Sequence, residues 1–388
     1  MTIYLDNNAT TPLAPGVAEA TREFMDESFG NPASGHHLAD KPRQAIESAR
    51  AAVAQLVGAR SPHEVVFTSG GTESNNWAIR GVLERSKGSG HLITSTVEHE
   101  SVRRVMDHAE ALGYDVSRIS VDQNGALDID QLGKQLRPDT RLVSIMWANN
   151  ETGVEFPVEK IANFVKERSD ALLHVDAVNA VGKVPIDLNN SVIDLLSMSA
   201  HKFYGPKGIG ALYIREGVNL MPLFLGGSQQ GSRRAGTEAV HQIAGMGKAA
   251  LYAANLNQMG SIRFLRDTLE QRLTEEIPDI RINGVESVRL PNTSNISFIR
   301  TNGEMIAALL DQEGICVSTG SACNSSSHTA SPVLAAMGVP YAEAMGSIRF
   351  SLGRNSTLEE IDKVIKILPR IVSDIRRLAG NQAAFSIP

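Results

Sequence analysis

Between residues 64 and 214, short apolar runs alternate with segments whose apolar positions recur every three to four residues. The runs at 64–68, 91–95, 115–120, 141–147, 171–175, 193–198 and 209–214 predict strands. Amphipathic segments such as 73–83 and 158–168 predict helices between them. This alternation implies βαβ units, and hence an α/β fold with a mostly parallel seven-stranded sheet covered on both faces. Ligands of such sheets gather outside the strand carboxyl ends. Beyond about residue 255 helical stretches mix with fewer strands, at 295–299, 315–318 and 347–352. The last helix opens on a capping box, Thr357 with Glu360. Its apolar face continues through Ile361, Val364, Ile365, Leu368, Val372 and Ile375, and Pro369 is expected to kink it. The expected division is a large domain at 16–254 and a smaller α+β domain formed by 1–15 with 255–388.

Composition narrows the function. With 388 residues the chain is long enough for more than one core. A formal net charge of −6 and the lack of basic runs argue against a nucleic-acid or anionic-membrane surface. The start, Met1-Thr2-Ile3-Tyr4, has no basic, apolar leader, and no run reaches the ~18–20 apolar residues of a membrane span. A cytoplasmic protein is expected. Its two cysteines, Cys316 and Cys323, form no Cys-x-x-Cys pair, so no metal ribbon is expected. Cys316 lies in a strand-like run and is read as a packed core thiol. Cys323 lies in a small, polar segment, Ser318 to Ser327, and is read as an exposed thiol on a mobile loop.

Several motifs fall at predicted strand ends. Ser199-Ala200-His201-Lys202 lies between two apolar runs, which suits a Schiff-base lysine beside a pocket, although a solvated loop lysine is the plainer reading. Thr68 to Asn76, with Gly70, Gly71 and Thr72, follows a strand and opens a helix; it is a phosphate-type turn or an ordinary capped one. Asp176 ends a strand, either as partner to a protonated ring nitrogen or as a helix cap. His99 could stack on a flat ring and move protons, or be structural, and His174 and His201 share that ambiguity. Asn149 and Asn150 face a ligand or a turn. Arg349, inside an apolar strand pattern, needs an anion, either a substrate carboxylate or an internal carboxylate. Together these residues describe a pyridoxal-phosphate site, and the exposed thiol adds sulfur chemistry.

The chain resembles the cysteine desulfurases of the nitrogen-fixation and iron–sulfur-assembly type. These are class V, fold type I pyridoxal-phosphate enzymes. The resemblance is carried by Tyr4 to Pro12, Phe29 to Ser34 and Arg349 to Leu352, and Ser318 to Cys323 looks like the long-loop subclass. It implies that Lys202 binds the cofactor covalently, Asp176 holds the ring nitrogen, and His99 stacks on the ring and shuttles protons. Gly71, Thr72, Ser199, Ala200 and His201 would contact mainly the phosphate. Asn150 and Asn179 would flank the ring, and Thr237 would reach the phosphate of a neighbouring subunit in a homodimer. Arg349 would take the carboxylate of L-cysteine. Cys323 would be the nucleophile that collects sulfur for a protein acceptor, with His99 as the base that ionises it. Two positions depart from the family pattern: Asn179 stands where Gln is usual, and Gln230-Gly231-Ser232 replaces Glu-Arg-Gly. Another class V activity, aminotransferase or selenocysteine lyase, is the competing enzyme reading. A non-catalytic scaffold that docks sulfur acceptors is the competing binding reading.

Overall fold

The computed structural model describes residues 2–86, 89–319 and 330–384. The chain opens on a two-residue strand, β1 (Ile3–Tyr4), and two helices, α1 (Val17–Asp26) and α2 (Asp40–Leu56). The central sheet follows: β2 (Val65–Thr68), β3 (His91–Ser95), β4 (Asp115–Ile119), β5 (Thr140–Met146), β6 (Leu172–Asp176), β7 (Leu195–Ser199) and β8 (Gly210–Ile214). Their spatial order is β2-β8-β7-β6-β5-β3-β4. Only β8 runs against its neighbours; the other pairings are parallel. All seven predicted strands form, with ends shifted by at most two residues. They were readable because most are buried on both faces, so their apolar runs are nearly continuous.

Helices α3 (Gly71–Arg85), α4 (Glu100–Ala111) and α5 (Val158–Lys166) follow β2, β3 and β5. Each parallel crossover returns the chain to the same edge, so the carboxyl ends of β2, β3, β5, β6 and β7 gather on one side. α6 (Val240–Ala253) packs with α1 and α2 and shares their hydrophobic core.

A second core joins Ile3 and Leu5 to residues between 262 and 375. It lies under a three-stranded antiparallel sheet of β9 (Ile280–Ile282), β10 (Thr293–Phe298) and β12 (Ser347–Ser351), in the order β12-β10-β9. β1 pairs in parallel with β11 (Ile315–Cys316). The final helix, α7 (Leu358–Ala384), is helical through Pro369. Its expected capping box forms: Thr357 N–H donates to Glu360 at 3.2 Å, and Glu360 N–H donates to Thr357 Oγ1 at 3.3 Å. The sequence pattern missed β1 and β9, which are only two and three residues long.

Cys316 corrects one expectation. It is half-exposed rather than packed in the core, because strand alternation turns Ile315 inward and Cys316 outward. Cys323 lies outside the described residues. Among the described residues no helix is long and apolar enough to cross a membrane.

Candidate active site

A cavity of about 310 Å³ opens at the shared carboxyl edge of the sheet. Its floor begins where β2 turns into α3. Gly70 has φ 152° and ψ −176°, a conformation that essentially only glycine adopts. At Gly71 a Cβ would lie 2.6 Å from Val178 Cγ2, so only glycine lets the first turn of α3 approach the turn that follows β6. The helix N-terminus thus presents backbone N–H groups and positive potential beside the Thr72 side chain. Glu73 fixes this turn from beneath. It accepts from Ser69 N–H at 2.7 Å and from Arg234 Nε and Nη2 at 3.0 and 3.1 Å. Burial works to raise the Glu73 pKa, but the Arg234 and Ser69 hydrogen bonds outweigh it and hold the carboxyl below its ordinary value.

Asp176, the last residue of β6, is buried. Its Oδ2 accepts from Asn75 Nδ2 at 2.7 Å and its Oδ1 from Val178 N–H at 3.0 Å. His99 stands at the N-cap of α4, where its Nδ1 accepts from Ser101 N–H at 3.1 Å and lies 2.8 Å from Ser101 Oγ. Burial pushes its pKa below the ordinary histidine value. Asn149 does not face the cavity. Its Oδ1 accepts from the N–H groups of Glu151 and Thr152 at 2.9 and 3.0 Å, while Asn150 lines the cavity.

Lys202 closes the single turn that follows β7. An N-terminal strap holds this turn in place: Thr11 N–H donates to the His201 carbonyl at 2.9 Å, and Tyr204 N–H donates to Thr11 Oγ1 at 2.8 Å. The strap also supplies the acceptors for Lys202 Nζ, the carbonyls of Asn8 and, at 3.0 Å, Ala9.

Arg349 arrives from β12, flanked in the strand by core residues Ile348 and Phe350. It is 3% exposed, and its Nη2 donates to Asp6 Oδ1 at 2.7 Å while Nη1 donates to the Asn150 carbonyl at 3.0 Å. Its Nε has no partner among the described residues. Arg349 is thus paired internally, as one of its two sequence readings has it, and it also lines the cavity.

The structure brings most of the sequence-named residues to this one cavity. Gly71, Thr72, His99, Asn150 and Asp176 line it, as do Asn179, Ser199, His201, Lys202 and Arg349. Ala200 is buried beneath the lysine turn, and Thr237 is exposed on a loop outside the lining.

Sequence reasoning missed four neighbours. Asn75 sits one helical turn beyond Gly71, and that i, i+4 spacing was a usable signal. Ser101 follows the His99 cap. Asn8 belongs to the strap. Lys183 is buried, and its Nζ donates to Asn179 Oδ1 at 2.7 Å and Asn8 Oδ1 at 3.0 Å. Burial, with Lys202 and Arg349 nearby, pushes its pKa well below that of a free lysine. The shorter amide at 179 is thus held by a lysine one helical turn on, and its Nδ2 reaches the Asn149 carbonyl at 3.4 Å.

His174 resolves as structural. It bridges Ser144 Oγ at 2.8 Å and Ser197 Oγ at 2.9 Å across three sheet strands, and burial pushes its pKa down to about 3. His201 lines the cavity, and its Nδ1 lies 3.2 Å from Thr10 Oγ1. Burial, aided by the nearby charges of Lys202, Lys207 and Lys183, pushes its pKa down to about 4.

The sequence profile of the Aminotransferase class-V family matches residues 3–364, nearly the whole chain. The chain belongs to the class-V aminotransferase family. Curated relatives of this class-V chain include a protein named cysteine desulfurase from Cereibacter sphaeroides. It is 49% identical over 378 residues, covering 97% of each chain. The cysteine desulfurase IscS of Dictyoglomus turgidum is 47% identical over 388 residues, covering 99% of this chain and 98% of its own. Among solved structures, a NifS-like protein superposes with a TM-score of 0.90 at 39% identity, over 96% of this chain and all of its own. A structure of SspA in complex with cysteine superposes with a TM-score of 0.82 at 37% identity, over 92% of this chain and all of its own. The seven-stranded α/β architecture of this class-V chain is that of the NifS-like fold.

Proposed function

We propose that the chain is a cysteine desulfurase that uses pyridoxal 5′-phosphate to take sulfur from L-cysteine. The observation that carries this reading is one cavity that collects Lys202, Asp176 and Arg349 at the carboxyl edge of the sheet. The residues present fit the cofactor. The Gly70–Gly71 approach leaves backbone donors open toward a phosphate, and the Asp176 carboxylate suits a protonated ring nitrogen. When bound, pyridoxal phosphate supplies an electron sink that weakens bonds at the α and β carbons of an amino acid.

Lys202 would hold the cofactor, Asp176 its ring nitrogen and His99 its face. Gly71, Thr72, Ser199 and His201 would hold the phosphate, with Ala200 beneath, and Thr237 of a second copy would complete that site in a homodimer. Asn150 and Asn179 would flank the ring. Arg349 would bind the carboxylate of L-cysteine through the guanidinium edge that carries Nε. Lys202 would move the proton at Cα. The Cys323 thiolate attacks the substrate sulfur: an S–S bond forms and the Cβ–S bond breaks. The electron pair stays on carbon and is protonated, so the products are L-alanine and a Cys323 persulfide. The persulfide then passes its outer sulfur to a protein acceptor such as one that serves iron–sulfur assembly.

The test is to incubate the purified protein with cysteine and a small thiol and assay alanine and sulfide. Equal yields of both, with no 2-oxo acid required, are expected. Cys323→Ala should keep the bound cofactor and lose alanine formation. Normal turnover by that variant would remove Cys323 from the reaction, and alanine appearing only with a 2-oxo acid would favour an aminotransferase.

A further inference from the structure

The hydrogen-bond chain behind His99 has a direction fixed by its chemistry. The Asp176 carboxylate only accepts, so the Asn75 atom 2.7 Å from Oδ2 is the amide nitrogen. The same Nδ2 donates its second hydrogen to Ser101 Oγ at 2.8 Å. Ser101 Oγ therefore has its own hydrogen to give, and the atom in reach is His99 Nδ1, at 2.8 Å. Ser101 N–H donates to the same Nδ1 at 3.1 Å. Two donors thus converge on one ring nitrogen, which leaves no room for a proton there.

The geometry points to Asn75 and Ser101 as positioning residues that lock His99 into the neutral tautomer with its proton on Nε2, so that His99 serves the cavity as a hydrogen-bond donor and not as a base. This rests on the desulfurase reading only for the identity of the reaction. The tautomer follows from the hydrogen bonds alone.

The surroundings act the same way. His99 caps α4, a helix of 12 residues whose N-terminal end disfavours an imidazolium. Burial and the Lys202 charge lower its pKa, while Asp176 and Glu100 work to raise it, and the net shift is downward. Arg80, Arg104 and His108 border the outer groove that His99 shares. Arg80 and Arg104 add positive charge, and the Glu100 carboxylate is engaged by Arg103 and Arg104. A neutral imidazole with Nδ1 occupied and hydrogen on Nε2 has no lone pair to take a proton from a thiol. The expectation that His99 ionises Cys323 therefore gives way to a different role. His99 offers Nε2–H to an electron-rich atom in the cavity, and the thiol's proton must leave to another acceptor.

The experiment is 15N NMR of the full chain labelled at histidine, with His99→Asn to assign the signal. At pH 7 the expected pattern is a protonated Nε2 and an unprotonated Nδ1, with imidazolium appearing only at pH below the ordinary histidine titration. Ser101→Ala and Asn75→Ala should each give mixed tautomers and move the His99 titration toward ordinary values. Ser101→Thr, which keeps the hydroxyl, should restore the single tautomer. In turnover, Ser101→Ala should lower kcat about 10-fold with KM nearly unchanged and add an acidic limb to the pH profile. A wild-type Nδ1–H or imidazolium at pH 7, or variants whose tautomer does not change, would overturn the assignment. Because the NMR readout needs no cysteine, an inactive protein with the expected tautomer would defeat the desulfurase reading and leave this one standing.

Discussion

The two walls of the cavity differ in how their charge is balanced. One wall, built at the ends of β6, α3 and α4, holds Asp176, Asn75, Ser101 and His99. There Asn75 donates to Asp176 and Ser101, Ser101 donates to His99 Nδ1, Asn75 Oδ1 is left without a partner among the described residues, and the His99 ring nitrogen that Ser101 does not engage is left for the cavity. The other wall holds Lys202, Lys183 and Arg349. Asp6 is a carboxylate hydrogen-bonded to this group, through Arg349; the other acceptors given above are backbone and amide oxygens. Burial, aided by the charges of Lys202 and Arg349, lowers the Lys183 pKa, and Arg349 Nε is left without a partner among the described residues. The first wall carries one carboxylate, Asp176, which a protonated ring nitrogen would meet. At the second, Arg349 keeps a guanidinium edge that an anionic substrate would engage.

The sharpest way to break this comparison is to remove the amine that does chemistry. Lys202→Ala should lower alanine formation by about 10³-fold or more, measured as alanine per protomer, because a positioned acid–base group is lost. The next effect separates binding from chemistry. Arg349→Lys should raise KM for cysteine about 10- to 100-fold with a smaller change in kcat, because an ammonium cannot reproduce the guanidinium edge.

A third change tests the pairing of Arg349 itself. Asp6→Asn removes the carboxylate on Arg349 and should cost about 1–2 kcal/mol of stability in the ligand-free protein, since Asp6 is only half-buried. Added cysteine should recover more of the thermal midpoint in this variant than in the wild type. Equal recovery would mean that the substrate carboxylate binds elsewhere.

The remaining effects concern pH. His174 titrates near 6.5 in the unfolded chain and near 3 in the fold. Its contribution to stability is full above pH 6.5 and is lost as pH falls through that window, by about 1.4 kcal/mol per pH unit. Glu98 has the opposite sign. Burial pushes its carboxyl up to about 8, so its contribution is full below about pH 4.5 and is lost as pH rises to about 8. Thermal melts across pH should show His174→Gln flattening the acidic loss and Glu98→Gln flattening the loss toward pH 8.

These two walls were not equally legible in the sequence. Lys202, Asp176 and Gly71 each sit where an apolar run ends, so local pattern and residue chemistry sufficed. Arg349 was found because an arginine inside an apolar strand must meet an anion. Asn8 and Lys183 carried no such mark. Their contacts join residues 175 positions apart, and Asn8 meets Thr293 across 285 positions, pairings that only the fold creates. Asn75 and Ser101 lay inside motifs already singled out, yet their role depends on hydrogen-bond direction across α3, β6 and α4. Cys316 misled because composition alone hides which way a two-residue strand faces.

The most direct test of the Arg349 wall is a crystal structure of the Lys202→Ala protein with L-cysteine bound. The account predicts the cysteine carboxylate within hydrogen-bond distance of the Arg349 guanidinium, with Nε engaged. A carboxylate lodged at another wall, with Arg349 still held by Asp6 and the Asn150 carbonyl and Nε still unpaired, would contradict it.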